Sequence, residues 1–157
     1  MDKILIVKIG GKLINNSHVL HRFLKSFAKI KTKKILIHGG GNQVTKMCKK
    51  LNLDVKIRNG RRITSIQDLE VATMIYAGSL NKTLVTKLQS FNCNSIGLSG
   101  ADANLIESVK RPVKEIDYGL VGDIKKINSV FLKKLIDQNL TPVICSITHD
   151  KKGQLLN

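Results

Sequence analysis

The sequence predicts an α/β protein in which a mainly parallel sheet is sandwiched between helices and carries a β-hairpin insertion. Apolar, strand-like runs alternate with amphipathic helical segments, the pattern of a parallel sheet. Two of the strands end in glycine turns, Gly10-Gly11 and Gly39-Gly40-Gly41. Glycines at such places let backbone N–H groups approach an anion closely. We expect a single domain, because the chain has 157 residues.

The first half of the chain begins as a β-α-β unit. Lys3 to Ile9 is a nearly continuous apolar run, which predicts a strand buried on both faces of the sheet. Apolar spacings of three and four predict a helix from Ser17 to Ile30, capped by Asn16 or Ser17. A strand, a helix, a hairpin and a long buried helix follow, over residues 34–38, 42–51, 55–64 and 65–91.

The second half of the chain repeats the alternation with shorter elements. Its predicted order is strand, small-residue turn, hairpin insertion, helix, strand and final strand, over residues 94–98, 99–103, 110–124, 129–138, 142–147 and 154–157. Pro112 and Gly119 mark the insertion as turn-rich.

The chain carries a formal net charge of +16, from 27 Lys and Arg residues against 11 Asp and Glu residues. On its own this charge suggests a nucleic-acid partner, because basic side chains neutralise phosphates. The lysines are dispersed, however, aromatic residues make up only 4%, and Trp is absent, so the stacking platform of single-strand binders is missing. We interpret the charge mainly as solvated basic faces, with a basic nucleic-acid-binding module as the alternative function.

The sequence favours a cytoplasmic protein that binds no membrane. A membrane helix needs about 20 apolar residues, and no segment provides them. The N-terminus lacks the features of a secretory signal. Cys48, Cys93 and Cys145 are odd in number and far apart, which predicts buried, reduced thiols in a reducing compartment.

Two cationic residues near the turns are candidates for anion binding. Lys8 lies at the carboxyl end of an otherwise apolar strand, where burial would penalise its charge unless an anionic ligand paired with it. Arg62, after the Asn59-Gly60 turn, can donate two parallel hydrogen bonds to a substrate carboxylate. The glycine turns match neither the G-x-G-x-x-G spacing nor the G-x-x-x-x-G-K-[ST] frame, which disfavours a Rossmann site and a P-loop.

The histidines do not predict a metal site. His18 and His21 are three residues apart, but no third ligand is apparent and no H-E-x-x-H motif occurs. We interpret His38, beside the glycine triplet, as a residue that fixes the turn rather than as an acid or base.

Five motifs occur in the order seen in the N-acetylglutamate kinases of the amino acid kinase family. They are Lys8-Ile9-Gly10-Gly11, His38-Gly39-Gly40-Gly41, Asn59-Gly60-Arg61-Arg62-Ile63-Thr64, Gly97-Leu98-Ser99-Gly100-Ala101-Asp102-Ala103 and Gly153-Gln154-Leu155-Leu156-Asn157. The chain resembles this family over essentially all of its length. The resemblance implies transfer of the γ-phosphoryl group of ATP, used with Mg²⁺, to the side-chain carboxylate of N-acetyl-L-glutamate in arginine synthesis.

The resemblance also implies a role for each matching residue. Lys8 is similar to the lysine that stabilises the transferring phosphoryl group, with Gly10 and Gly11 cradling phosphate.

The implied substrate contacts lie farther along the chain. Gly40 and Gly41 are similar to the backbone contacts to substrate. Arg62 is similar to the clamp on the substrate α-carboxylate, and Asn157 to a further contact.

The resemblance leaves several expectations to be tested. The family's organising aspartate and second catalytic lysine lie beyond the position of Asn157. We therefore expect residues 1–157 to be the acyl-amino-acid-binding lobe, without the ATP-binding lobe and with weak or no phosphotransfer of their own.

The absence of a long helix before the first strand favours the arginine-insensitive, dimeric members, with a homodimer formed through residues 65–91. Arg61 replaces a residue that is usually apolar, and N-acetyl-aminoadipate and N-succinylglutamate stay open as substrates.

Overall fold

A four-stranded parallel sheet lies at the centre of the computed structural model, which describes residues 3–157. Its strands are β1 (Leu5–Ile9), β2 (Lys34–His38), β5 (Ser95–Leu98) and β8 (Thr141–Cys145). They lie in the order β1-β2-β8-β5, and each neighbouring pair is parallel. The prediction of a mainly parallel sheet is confirmed.

Helices cover both faces of this sheet. They are α1 (Gly11–Ile14), α2 (Ser17–Lys29), α3 (Gly41–Lys50), α4 (Ile66–Thr73), α5 (Asn81–Gln89) and α6 (Ser129–Asp137). Successive side chains of a strand point to opposite faces. Leu36 and Val143 thus pack with α2 and α5, whereas their neighbours Ile35 and Ile144 pack with α6. Asn16 caps α2, since its side chain accepts a hydrogen bond from Val19 N at 3.0 Å.

A second sheet of four strands lies beside the first. It contains β6 (Ile106–Lys110), β7 (Gly122–Ile127), β9 (Thr148–His149) and β10 (Leu155–Leu156), in the order β10-β9-β6-β7. The antiparallel pair β6–β7 is the expected hairpin insertion, but its bounds differ from the predicted 110–124. Residues 111–121 form the connection, and the sequence signals at Pro112 and Gly119 belong to that loop rather than to the strands.

The strand β1 corrects one prediction. It pairs with β2 along one edge, so it lies at the rim of the sheet, and Leu5 and Ile6 are 37% and 60% exposed. An apolar run does not distinguish a central strand from an edge strand, because hydrogen-bonding neighbours are not encoded locally. The prediction that Lys8 is buried is wrong for the same reason, and its side chain is exposed.

The predicted long helix over residues 65–91 is present but is not uniform. Between α4 and α5, Met74–Leu80 forms a π-helical segment. Each π turn contains an extra residue, which rotates the buried face of the helix. The small hairpin that precedes it consists of β3 (Ile57–Arg58) and β4 (Arg61–Arg62), as predicted.

The three cysteines are buried and free of disulfides, as predicted. Across residues 3–157, none of the helices has both the length and the apolar character needed to cross a bilayer.

Candidate functional site

The largest group of predicted site residues lies around one open cleft of about 420 Å³. Gly41, Arg62 and Asn157 line this cleft, which we call the arginine cleft. They come from the start of α3, from β4 and from the position after β10, so the fold brings together residues that are far apart in sequence. Clefts of several hundred Å³ hold small molecules.

The start of α3 forms one wall of the arginine cleft. Gly40 is its N-cap, and Gln43 N and Val44 N donate to the Gly40 carbonyl at 2.8 and 3.3 Å. The first N–H groups of a helix have no partner within it and carry a partial positive charge. This wall therefore attracts an anionic group.

Gly40 is required where α3 meets the π-helical segment. A Cβ atom at this position would lie 2.7 Å from Leu80 Cδ2 and 3.1 Å from Tyr76 Cε1. Both side chains are buried. A larger residue would push α3 away from the segment, and the wall of the cleft with it.

Arg62 lines the cleft and is almost fully buried, with a side chain that is 8% exposed. Its Nη1 donates to Asp68 Oδ1 at 3.2 Å. Its Nη2 donates to Thr45 Oγ1 at 2.6 Å and to the Gly41 carbonyl at 3.3 Å. The guanidinium thus connects β4 with α3 and α4.

Asn157 also lines the arginine cleft and is held by its neighbours. Its Nδ2 donates to Thr64 Oγ1 at 3.1 Å, and its backbone N donates to the Leu120 carbonyl at 2.9 Å. Leu120 N in turn donates to the Thr64 carbonyl at 2.8 Å. Asn157 is therefore fixed relative to the residues that follow Arg62.

The predicted phosphate-binding residues lie next to the cleft rather than in its lining. A Cβ atom at Gly11 would be 3.6 Å from Nδ2 of Asn42, which is a lining residue. A Cβ atom at Gly10 would be 3.6 Å from Lys8 Nζ. The structure thus groups Lys8 with Gly10 and Gly11, and places Gly11 against the cleft.

The sequence did not predict a place in this region for Thr45, Asp68, Tyr76 or Arg111. Asp68 had a local signal, because Ser65-x-x-Asp68 forms a capping box at the start of α4. That pattern predicts the helix start but not the ion pair to Arg62. Thr45 reaches Arg62, and Tyr76 reaches the start of α3, only through tertiary packing, for which the sequence carries no local signal.

Burial shifts several pKa values around the site. It raises the pKa of Tyr76 above its usual 10.0, and the nearby Arg62 charge opposes that rise. Burial likewise raises the pKa of Cys48, again opposed by Arg62. Both groups are therefore neutral near pH 7 and add no charge to the cleft.

His38 fixes the glycine turn, as interpreted from the sequence. Asn81 Nδ2 donates to the Val143 carbonyl at 2.9 Å and lies 3.1 Å from His38 Nε2, which must therefore accept. The proton is then on Nδ1, which donates to the Gly39 carbonyl at 3.0 Å. Burial lowers the pKa of His38, only partly opposed by that hydrogen bond.

A second ion pair borders the arginine cleft. Arg111 lines it and donates from Nε and Nη2 to Asp123 Oδ1 at 3.0 and 2.5 Å. The pair raises the pKa of Arg111 and lowers that of Asp123. Within residues 3–157, no group of three or more His, Cys, Asp or Glu side chains is arranged to hold a metal ion.

Sequence comparison assigns nearly the whole chain to one family. Residues 3–157 match the amino acid kinase family. An acetylglutamate kinase of Cytophaga hutchinsonii is 49% identical over an alignment of 158 positions, which covers 100% of this chain and 60% of the relative. An acetylglutamate kinase of Parabacteroides distasonis is 46% identical over 100% of this chain and 62% of the relative. The chain thus spans about 60% of the length of these curated relatives.

Solved structures share the fold at lower identity. A crystal structure from Streptococcus mutans superposes with a TM-score of 0.84 at 24% identity, over 98% of this chain and 62% of that one. The N-acetylglutamate synthase of Neisseria gonorrhoeae, complexed with coenzyme A and N-acetyl-glutamate, superposes with a TM-score of 0.80 at 18% identity, over 98% of this chain and 36% of that one. These matches support the fold: a parallel sheet flanked by helices.

Proposed function

Because the chain belongs to the amino acid kinase family, we propose that it forms the acyl-amino-acid-binding lobe of a kinase that phosphorylates the side-chain carboxylate of N-acetyl-L-glutamate. One observation carries the proposal. Gly41, Arg62 and Asn157, which are far apart in sequence, line a single cleft at the N-terminal end of α3.

The chemistry of the reaction fits the groups around the cleft. A glutamate side chain has a pKa of about 4.3, so the attacking carboxylate is already ionised near neutral pH and needs no general base. Its oxygen attacks the γ-phosphorus of ATP, the bond to the ADP oxygen breaks, and an acyl phosphate forms. The obstacle is the approach of two anions, which positive groups and N–H donors reduce.

We assign the predicted residues to two parts of this task. Arg62 and Asn157 hold the acylated amino acid, the former at its α-carboxylate, and Gly40 and Gly41 present the N–H groups of α3 to it. Lys8, with Gly10 and Gly11, stabilises the phosphoryl group as it is transferred. Mg²⁺ enters as the ion of the nucleotide.

The relatives favour N-acetylglutamate over the other substrates and over the nucleic-acid-binding module. We further propose a cytoplasmic location, because the reaction consumes ATP and the three buried cysteines are free thiols that suit a reducing compartment.

We also propose that two copies pair through the helix that runs from α4 to α5. Ile66 and Met74 are 66% and 62% exposed, and a spacing of eight residues brings them near one side of a helix. A second copy of the chain would cover these side chains.

The proposed function is tested by trapping acyl phosphate as hydroxamate, with the full chain, N-acetyl-L-glutamate, ATP and Mg²⁺. We expect weak product formation or none, together with calorimetric binding of N-acetyl-L-glutamate. If product forms, Lys8→Ala should slow it by about a few hundred-fold, because one charge-assisted transition-state contact is lost. Lys25→Ala, an exposed lysine on α2, is the matched control. A folded chain that neither binds N-acetyl-L-glutamate nor forms product contradicts the proposal.

A further inference from the structure

Asp68 holds the guanidinium of Arg62 and is itself immobilised. Its Oδ2 accepts from Ser65 N at 3.2 Å and from Ser65 Oγ at 2.8 Å. Its Oδ1 accepts from Arg62 Nη1 at 3.2 Å and from Cys48 Sγ at 3.6 Å. The side chain is 5% exposed, so the start of α4 fixes the carboxylate that Arg62 contacts.

Thr45 fixes the other end of the guanidinium. Its hydroxyl donates to the Gly41 carbonyl at 2.9 Å, which turns a lone pair of Oγ1 toward Arg62. Arg62 Nη2 donates to that oxygen at 2.6 Å and to the Gly41 carbonyl at 3.3 Å. Two helices therefore hold one planar group from two directions.

These contacts decide what remains available to a ligand. A guanidinium has five N–H donors in a rigid plane. Within residues 3–157, the hydrogen bonds of the Arg62 guanidinium to the protein use Nη1 and Nη2, and Nε–H remains available to a ligand. Since Asp68 offsets the charge of Arg62, selection of a carboxylate depends on the direction in which the guanidinium is held more than on net charge.

We propose that Asp68 and Thr45 are positioning residues that orient Arg62 and thereby determine whether the site selects a substrate with an α-carboxylate. The inference rests on the proposed function, in which Arg62 meets that carboxylate. It adds that the selection is set by two side chains that contact Arg62 rather than the ligand, the carboxylate of Asp68 on α4 and the hydroxyl of Thr45 on α3.

The test compares two ligands that differ by the α-carboxylate alone, N-acetyl-L-glutamate and 4-acetamidobutyrate. Calorimetry on the full chain gives the ratio of their affinities. We expect the unmodified chain to prefer N-acetyl-L-glutamate, and Asp68→Asn to reduce that preference about tenfold to a hundredfold, as for loss of a hydrogen bond to a charged group. Affinity for 4-acetamidobutyrate should stay nearly constant, because that ligand has no group for Arg62.

Matched variants separate positioning from stability. Ser65→Ala removes the hydroxyl that caps α4 but retains the Arg62–Asp68 pair, so it should lower the melting temperature and leave the preference intact. Thr45→Val removes the hydroxyl that contacts Arg62 and should reduce the preference for N-acetyl-L-glutamate, whereas Thr45→Ser retains a hydroxyl and should keep that preference. These two variants test the inference if Asp68→Asn does not fold.

The outcomes distinguish the two proposals. A chain that folds but binds neither ligand, or both equally, overturns the proposed function and this inference with it. An unmodified chain that prefers N-acetyl-L-glutamate, with the same preference in Asp68→Asn and Thr45→Val, overturns the inference alone.

Discussion

His38 shows how one buried side chain supports the glycine turn. It is 1% exposed at the end of β2, where Asn81 and the Gly39 carbonyl satisfy both ring nitrogens. Protonation of Nε2 would place two donors, that nitrogen and Asn81 Nδ2, against each other. The neutral ring is therefore part of the folded state.

We predict that this histidine makes the protein less stable in mild acid. Its folded pKa lies below the ordinary 6.5, so below that pH the unfolded chain binds a proton that the folded chain does not. The contribution is complete above the unfolded pKa and is lost as the pH falls, with a slope of at most about 1.4 kcal/mol per pH unit. Urea unfolding between about pH 7.5 and about pH 5.5 measures it.

The quantity compared between variants is the slope of the unfolding free energy against pH, and not the absolute stability of each variant. His38→Gln should flatten the dependence of the unfolding free energy on pH. His18→Gln, on the exposed side of α2, should leave it unchanged. Equal slopes in the two variants would contradict the role of His38.

The predictability of the site differs from residue to residue. Gly41, Arg62 and Asn157 belong to short sequence motifs, so they were predicted and do line one cleft. Asp68 and Thr45 contact Arg62 across separate elements, and no local pattern encodes a contact between residues 45 and 62. Side chains that orient a binding residue are thus harder to find than the binding residue itself.

At the scale of elements, the π-helical segment determines how α3 is placed. It buries Tyr76 and Leu80, and both approach Gly40 at the start of α3. Apolar residues occur on more than one face of this helix. This is expected when a π turn rotates the side of the helix that is buried. The pattern could equally belong to a regular buried helix, so the π turn itself was not predicted.

We predict that Gly40→Ala destabilises the fold by about 1–3 kcal/mol, the usual cost of overpacking. The added methyl group would lie 2.7 Å from Leu80 Cδ2, and the buried Leu80 has little room to move. At Gly39 an added Cβ meets no atom within 4 Å, so Gly39→Ala is the control and should leave the free energy of unfolding nearly unchanged. Urea unfolding of both variants checks the prediction, and equal losses would show that packing against Leu80 is not the cause.

At the scale of the whole molecule, the exposed apolar side chains indicate where other surfaces could attach. One face contains Ile4 and Ile6, near the open edge at β1, together with Val130 on α6, and it borders a cleft of about 630 Å³. Another contains Ile66 and Met74 on the long helix. The sequence predicted the layers of the fold and a pairing surface on residues 65–91, but not the face at β1, because burial at a sheet edge depends on what lies beside it.

The homodimer proposed for the long helix can be tested by choosing between these two faces. We expect sedimentation velocity to show a dimer that dissociates in Met74→Glu, because a charge cannot enter an apolar interface without a partner. Val113→Glu, at a side chain that is 61% exposed on the loop between β6 and β7, is the matched control and should remain dimeric. If Ile6→Lys dissociates the dimer and Met74→Glu does not, the copies pair through the β1 edge instead, since a lysine on an open strand blocks edge-to-edge pairing.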